Sequence, residues 1–296
     1  MLIVRFLSAG GDHPLVGVRD DDTDTVTELP VAAVGELLAL PLTDLRALCL
    51  NNTTGTRHRA ADVRLLPPVD RRTEVWAAGV TYQRSREARI TESENAADVY
   101  DLVYDAPRPE LFFKSAAWRV TGDGECVAIR PDSDTDVPEP ELGLVVNAGA
   151  EIVGYTVVND MSSRSIEGVN PLYLPQAKIY LGGCAVGPGI RPAWEVPDAR
   201  DLPIELEIHR AGELAWSGAT STSLLRRGFD ELVEHLFRAE VFPDGAVLAT
   251  GTALVPDLPF TLADGDRVAI TVGGVGRLTS TVVSGKDAVV KLLENR

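Results

Sequence analysis

The chain has 296 residues, 45% hydrophobic and 24% charged, the values of a globular protein rather than a disordered one. A net charge of −16 argues against nucleic acid and anionic membranes as partners. No run of 18 apolar residues and no charged-then-apolar leader is present, so a cytoplasmic location is expected. Cys49, Cys126 and Cys184 are too few and too scattered for a disulfide framework or a CxxC zinc site.

In chain order, MLIVRFL, HPLVGVRD and TVTELP read as short strands, and VAAVGELLAL through LTDLRALCL has helical spacing. The Pro pair in VRLLPPVDRRT marks a linker between a small N-terminal domain, residues 1–71, and a larger one, residues 72–296. VWAAGVTY opens the larger unit as a buried strand. Residues 83–109 are charged, helix-permissive and poor in β-branched core residues, the composition of a lid over a site. From Glu110 onward strands dominate: FFKSAAWRV, CVAIRP, KIYLGGCAVGPGI, LPIELEIHRAG, ELAWSGAT, AVLATGTALVP and GDRVAITVGGVGRLTSTVV. They are interrupted by one helix, LRRGFDELVEHLFRA, and followed by helix-like SGKDAVVKLLENR. Many strands, few helices and no βαβ rhythm predict a β-dominated α+β fold.

Within this run, VPEPELGLVVNAGAEIVGYTVVND reads as a hairpin around Asn147-Ala148-Gly149-Ala150. Strand alternation puts Glu139 and Glu141 on one face and Leu142, Leu144 and Val146 on the other. A turn centred on Ala148/Gly149 would pair Glu141 with Thr156 and Glu139 with Val158, with Asp160 just beyond. Three carboxylates then converge across roughly 5 Å of a strand pair. Such a cluster suits a hard divalent cation such as Mg²⁺. The same pattern also fits a solvated acidic strand edge, and spacing leaves both readings open.

The lysines narrow the search. Only Lys114, Lys178, Lys286 and Lys291 occur, against abundant arginine, so generic surface charge is carried by Arg. Lys286 and Lys291 read as solvated residues of the C-terminal helix. Lys114 in ELFFKSA and Lys178 in LPQAKIY lie in apolar, aromatic surroundings, where a compact ammonium that can lose its proton has chemical use.

Taken together, PEPELGLVV, GYTVVNDMSSRSIE, LPQAKIYLGGCAVGP, ATGTALVP and ADGDRVAITVGGVGRL resemble the fumarylacetoacetate hydrolase family, over about Trp76 to Val283. The resemblance implies a mixed β-roll, a homodimer or homotetramer, and a Mg²⁺ or Mn²⁺ site on Glu139, Glu141 and Asp160, with Lys178 as the active-site lysine. The phrases GVTYQRSREAR, RPELFFKSA and NPLYLPQAKIYLGGCAVGP are similar to the 2-keto-3-deoxy-pentonate dehydratases of that family. They imply dehydration of 2-keto-3-deoxy-D-arabinonate or its xylonate equivalent to 2-oxoglutarate semialdehyde. Two other readings fit the same residues: a C–C hydrolase of an acylpyruvate or 2,4-diketo acid, and a catalytically silent binding protein. The hydrolases use a histidine near the lid, whereas here no histidine lies between His58 and His209. The family's S-A-R-D reads Ser162-Ser163-Arg164-Ser165, which removes an acid beside Arg164.

A metal-chelated 2-keto acid has acidified C3 protons, so the reaction needs a base at C3 and an acid at the C4 hydroxyl. Lys178, its pKa lowered by a nearby cation, is the expected base and Glu110 the expected acid, with exchange of roles open. Lys114, Arg164, Ser85, Arg86, Arg89 and Thr252 are the candidate substrate holders, each also readable as an ordinary charged or turn residue.

Overall fold

The computed structural model describes residues 1–92 and 102–295. The chain opens with β1 (Leu2–Ser8), β2 (Leu15–Asp20) and β3 (Thr25–Glu28). The expected helical stretch is two helices, Val34–Leu38 and Leu42–Asn51, because Pro41 cannot continue the first and sits where the second begins. Then come β4 (Arg57–Arg59), β5 (Val63–Leu66), β6 (Glu74–Gly79), the helix Gln83–Glu92 and β7 (Glu110–Ala116). The chain continues with β8 (Cys126–Ile129), β9 (Asp136–Val137), β10 (Pro140–Val146), β11 (Ile152–Asp160), β12 (Ser162–Ser163) and β13 (Cys184–Pro192). It closes with β14 (Pro203–Arg210), β15 (Glu213–Ser221), β16 (Ala246–Ala249), β17 (Arg267–Val272) and β18 (Gly276–Ser284).

Among the described residues, one long sheet runs β4-β3-β2-β1-β13-β11-β10-β16-β6-β7, with β5 also paired to β1. A second sheet runs β15-β14-β17-β18-β8, and β9 pairs β12 alone. The β16–β6 and β18–β8 pairs are parallel and the rest antiparallel, so the β-dominated α+β expectation holds as a mixed β-roll.

Strand β10 shows why the sheets stack as they do. Leu142, Leu144 and Val146 pack with Leu206, Ile270 and Leu278 of the second sheet and with Leu232 of the helix Phe229–Phe237. On the opposite face Val145 packs with Val75, Val247, Leu37 and Leu38. A strand covered on both faces must be apolar throughout, which makes Glu141 in its first turn of pleat conspicuous. The second core also takes in Ile3 and Val16, so residues on both sides of position 71 share it.

The hairpin register differs from the expected one. Glu141 faces Val158 rather than Thr156, and Pro140 faces Asn159. The turn is wider than two residues: Asn147 N–H donates to the Glu151 carbonyl, and Asn147 Oδ1 accepts from Gly149 and Glu151. Ala150 takes φ 61°, and a bulge at Val145/Val146 adds a further offset. The consequence favours the cluster, since the Asp160 N–H now donates to the Glu139 carbonyl at 3.0 Å.

Candidate active site

Glu139, Glu141 and Asp160 are buried, and one carboxylate oxygen from each lies within 4.8 Å of the others. Glu139 stands just before β10, Glu141 in its start and Asp160 at the end of β11, where the sheet opens into a cleft of about 390 Å³ including its mouth. The Gly251 N–H donates to Glu141 Oε2 at 2.7 Å. That approach requires Gly251 at φ +93°, in a turn held by Thr250, whose N–H and hydroxyl both donate to the Leu142 carbonyl. Burial first, then Asp160 and Glu139, push the Glu141 carboxyl well above its ordinary range.

Three buried cations answer the three acids. Lys178 Nζ donates to Glu139 Oε2 at 2.8 Å and to Asp160 Oδ2 at 3.1 Å. Arg164 reaches Glu139 Oε1 at 3.2 Å, and Lys114 Nζ lies 2.5 Å from Asp160 Oδ1. The last contact is close but poorly directed, and Asp160 Oδ1 accepts no well-aligned hydrogen bond. An all-carboxylate donor set, an under-used oxygen and an ammonium already seated between two of the acids fit a hard divalent cation. Glu139, Glu141 and Asp160 would hold it.

The other expected site residues divide. Glu110, Arg164, Lys178, Ser85 and Thr252 line the cleft. Glu110 lies across Gly79, where a built Cβ would stand 2.2 Å from Glu110 Oε2. Ser85 donates to the Tyr82 carbonyl at 2.9 Å, and Thr252 closes its own turn with Leu254. Arg86 instead stacks on the Tyr104 ring at 5.3 Å. Arg89 falls on the helix Gln83–Glu92, and its side chain lies outside the described residues. Of the expected lid, that helix brings Ser85 to the cleft, residues 93–101 lie outside the described residues, and the return is tied down by Arg227, which donates to the Ala106 carbonyl at 2.7 Å.

Lys114, expected as a substrate holder, is not among the residues lining the cleft; it donates to the Met161 and Lys178 carbonyls at 2.9 and 2.5 Å. One expectation is corrected. The segment KIYLGGCAVGPGI is not one strand, since Lys178 ends the helix Leu174–Lys178 and β13 starts at Cys184. Pro175 in the first turn of that helix is a start signal that strand-reading passed over. A fifth carboxylate on the wall, Glu167, is one that the sequence reading does not single out. It sits on the helix Arg164–Val169 and accepts from Ser162 Oγ at 3.2 Å. Its signal was Ser163, whose side chain caps that helix by accepting the Ile166 N–H. Ser165, in place of the family's acid, bonds Ser133 Oγ at 3.0 Å, while Arg164 finds its acid in Glu139.

The description "Fumarylacetoacetate (FAA) hydrolase C-terminal" matches residues 75–283. A Haloferax volcanii protein named "Probable 2-keto-3-deoxyxylonate dehydratase" is 44% identical over 280 residues, 95% of this chain and 96% of that one. The 2-dehydro-3-deoxy-D-arabinonate dehydratase of Saccharolobus solfataricus is 43% identical over 226 residues, 75% of each chain. Among solved structures, 2-keto-3-deoxy-D-arabinonate dehydratase complexed with magnesium and 2,5-dioxopentanoate superposes with a TM-score of 0.83 at 34% identity, covering 97% of this chain and 100% of that one.

Proposed function

The chain belongs to the fumarylacetoacetate hydrolase family, and from that premise we propose that it is a Mg²⁺-dependent hydro-lyase. It dehydrates a 2-keto-3-deoxy-pentonate to 2-oxoglutarate semialdehyde, which is 2,5-dioxopentanoate. The observation that carries dehydration over hydrolysis is the chemistry of the wall: carboxylates, Lys178 and Arg164 line the cleft, and no histidine does among the described residues.

Glu139, Glu141 and Asp160 would hold the Mg²⁺, which when bound would supply Lewis-acid polarisation of the 2-keto acid and so acidify its C3 protons. In our reading Lys178 takes a C3 proton, and Glu110 donates one to the C4 hydroxyl, which leaves as water. The resulting C3=C4 double bond then moves. C5 loses a proton, C3 regains the one that Lys178 took, and the C4=C5 enol becomes the terminal aldehyde. Atoms balance with loss of one water. Arg164 and Ser85 hold substrate oxygens at the wall, Thr252 shapes the turn beside them, and residues 72–296 carry the chemistry while residues 1–71 brace the sheet through β1. A homodimer or homotetramer in the cytoplasm completes the reading; among the described residues no helix is long and apolar enough to cross a membrane.

The test is to incubate the purified protein with Mg²⁺ and a panel of 2-keto-3-deoxy pentonates and hexonates, with products identified by mass. The expected product weighs one water less than its pentonate. Release of pyruvate from an acylpyruvate at a comparable rate would establish the hydrolase instead.

A further inference from the structure

Lys114 is among the largest fully buried side chains, yet it is charged and stands off the cleft. Its ammonium stands among three oxygens from different parts of the chain, two as hydrogen-bond acceptors and one as an ion-pair partner. Two are backbone carbonyls, of Met161 just past β11 and of Lys178 at the end of its short helix; the third is Asp160 Oδ1. The Tyr180 ring closes the surroundings, 5.9 Å from Nζ. Charged donors are not buried in this way without a compensating set of acceptors, and here that set contains one metal-binding acid and the backbone of the expected base.

We propose that Lys114 is a positioning residue that never touches substrate: it fixes Asp160 Oδ1 and the Lys178 carbonyl together. Asp160 Oδ2 is thereby the oxygen turned toward Glu139 and Lys178, as their shared contact shows. The inference deepens the dehydratase reading and rests on it for the turnover arm. It carries a specific electrostatic cost, because an ammonium on Asp160 repels any dication bound to the same carboxylate. Lys114 therefore trades metal affinity for alignment of acid and base. Removing a substrate-holding lysine would instead raise KM, and removing a merely structural one would leave kcat per folded molecule unchanged.

The experiment uses the full chain and two variants. Lys114→Met keeps the length and removes the charge; Lys114→Arg keeps the charge in a group too broad for three converging oxygens. Mn²⁺ binding to metal-stripped protein is followed by its electron-spin signal, alongside steady-state turnover and thermal unfolding. Lys114→Met is expected to bind Mn²⁺ about tenfold or more tighter while kcat falls about a hundredfold, with KM within about threefold. A raised KM with kcat intact would mean that Lys114 holds substrate, and overturns the proposal. A lowered Tm with wild-type Mn²⁺ affinity and wild-type kcat per folded molecule overturns it too. If Lys114→Met does not fold, Lys114→Arg decides: turnover lost without a gain in Mn²⁺ affinity supports positioning, and wild-type kcat refutes it. A wild type that fails to dehydrate any pentonate would fault the assigned reaction and not Lys114, whose Mn²⁺ readout needs no substrate.

Discussion

Glu141→Gln should stabilise the metal-free protein and at the same time abolish its stabilisation by Mg²⁺. Glu139 is paired with Arg164 and Lys178, and Asp160 with Lys178 and Lys114, whereas the contact described for Glu141 is a neutral backbone N–H. Its oxygen lies within 4.8 Å of a ligand oxygen on each neighbour. At that separation and an effective dielectric near 20, each like-charge pair repels by at least about 3.5 kcal/mol. Lys178 offsets part of this, while burial first, then Asp160 and Glu139, push the Glu141 carboxyl above its ordinary range. Glutamine keeps an oxygen for the Gly251 N–H and removes the charge. We expect a gain of about 2 kcal/mol, or roughly 4–8 °C in Tm for a chain of this size, when unfolding is followed in chelator. Wild type should gain about 2.7 kcal/mol from Mg²⁺ at a hundred times its Kd, and the variant almost nothing. The two melting curves therefore cross as Mg²⁺ is added. A variant less stable than wild type in chelator, or one that keeps the full Mg²⁺ increment, would refute the account of an acidic cluster poised for a cation.

With Mg²⁺ saturating, Lys178→Arg should lose about a hundredfold or more in single-turnover rate, since a guanidinium cannot take a proton near neutral pH; near-normal turnover would pass the base role to Glu110. Gly79→Ala should lose a similar factor, because its Cβ would stand 2.2 Å from Glu110 Oε2 and must displace that carboxyl. The same change made in a Glu110→Ala background should cost nothing more, and an additive loss would show that Gly79 acts otherwise. Asp136 is buried with Oδ1 unbonded, and burial pushes its pKa up to about 6, with the Ser133 and Arg130 contacts only partly opposing. Because the folded pKa lies above the unfolded one, the penalty is absent below about pH 4, grows to about pH 6 and is complete above it, at most about 3 kcal/mol. Asp136→Asn should accordingly raise Tm at pH 7.5 and leave it unchanged at pH 4; equal shifts at both would remove ionisation as the cause.

What could be read from the residues depended on how locally each feature is encoded. The alternation Glu139, Glu141 against Leu142, Leu144 is a property of one strand, and the two core faces of β10 bear it out. The register of that strand with β11 was not legible, since it is set by the Asn147 side chain bonding two later N–H groups and by the bulge at Val145/Val146. Lysine scarcity pointed to Lys114 and Lys178 equally. Which of them meets the cleft is decided by the pairing of β7 with β6 and by the short helix before β13, both long-range facts. Glu167 was hidden for another reason: six residues of helix are too few to show a 3.6-residue period, and only the cap at Ser163 announces them.

The pairing of lysine with this site also has a physical basis. Both buried ammonium groups contact Asp160, on its two different oxygens, while Lys178 also reaches Glu139. Two cations can share one carboxylate so closely only if each is compact, and a planar guanidinium presents its donors over a wider fork. Arg164 stands at Glu139 Oε1, an oxygen other than the one Lys178 takes, where one broad contact suffices. Elsewhere the chain uses arginine for such contacts, as at Asp244, Asp266 and Glu231. As the base, Lys178 must be neutral when substrate binds, so the three acids then face two cations, Arg164 and Lys114, and the cluster is left one negative charge in excess. A bound dication would turn that into one positive charge in excess, and the carboxylate of a 2-keto acid would cancel it. Transfer of the C3 proton to Lys178 then moves charge within the cluster without changing its sum, so the oxyanion and the new ammonium form together in surroundings already balanced for them.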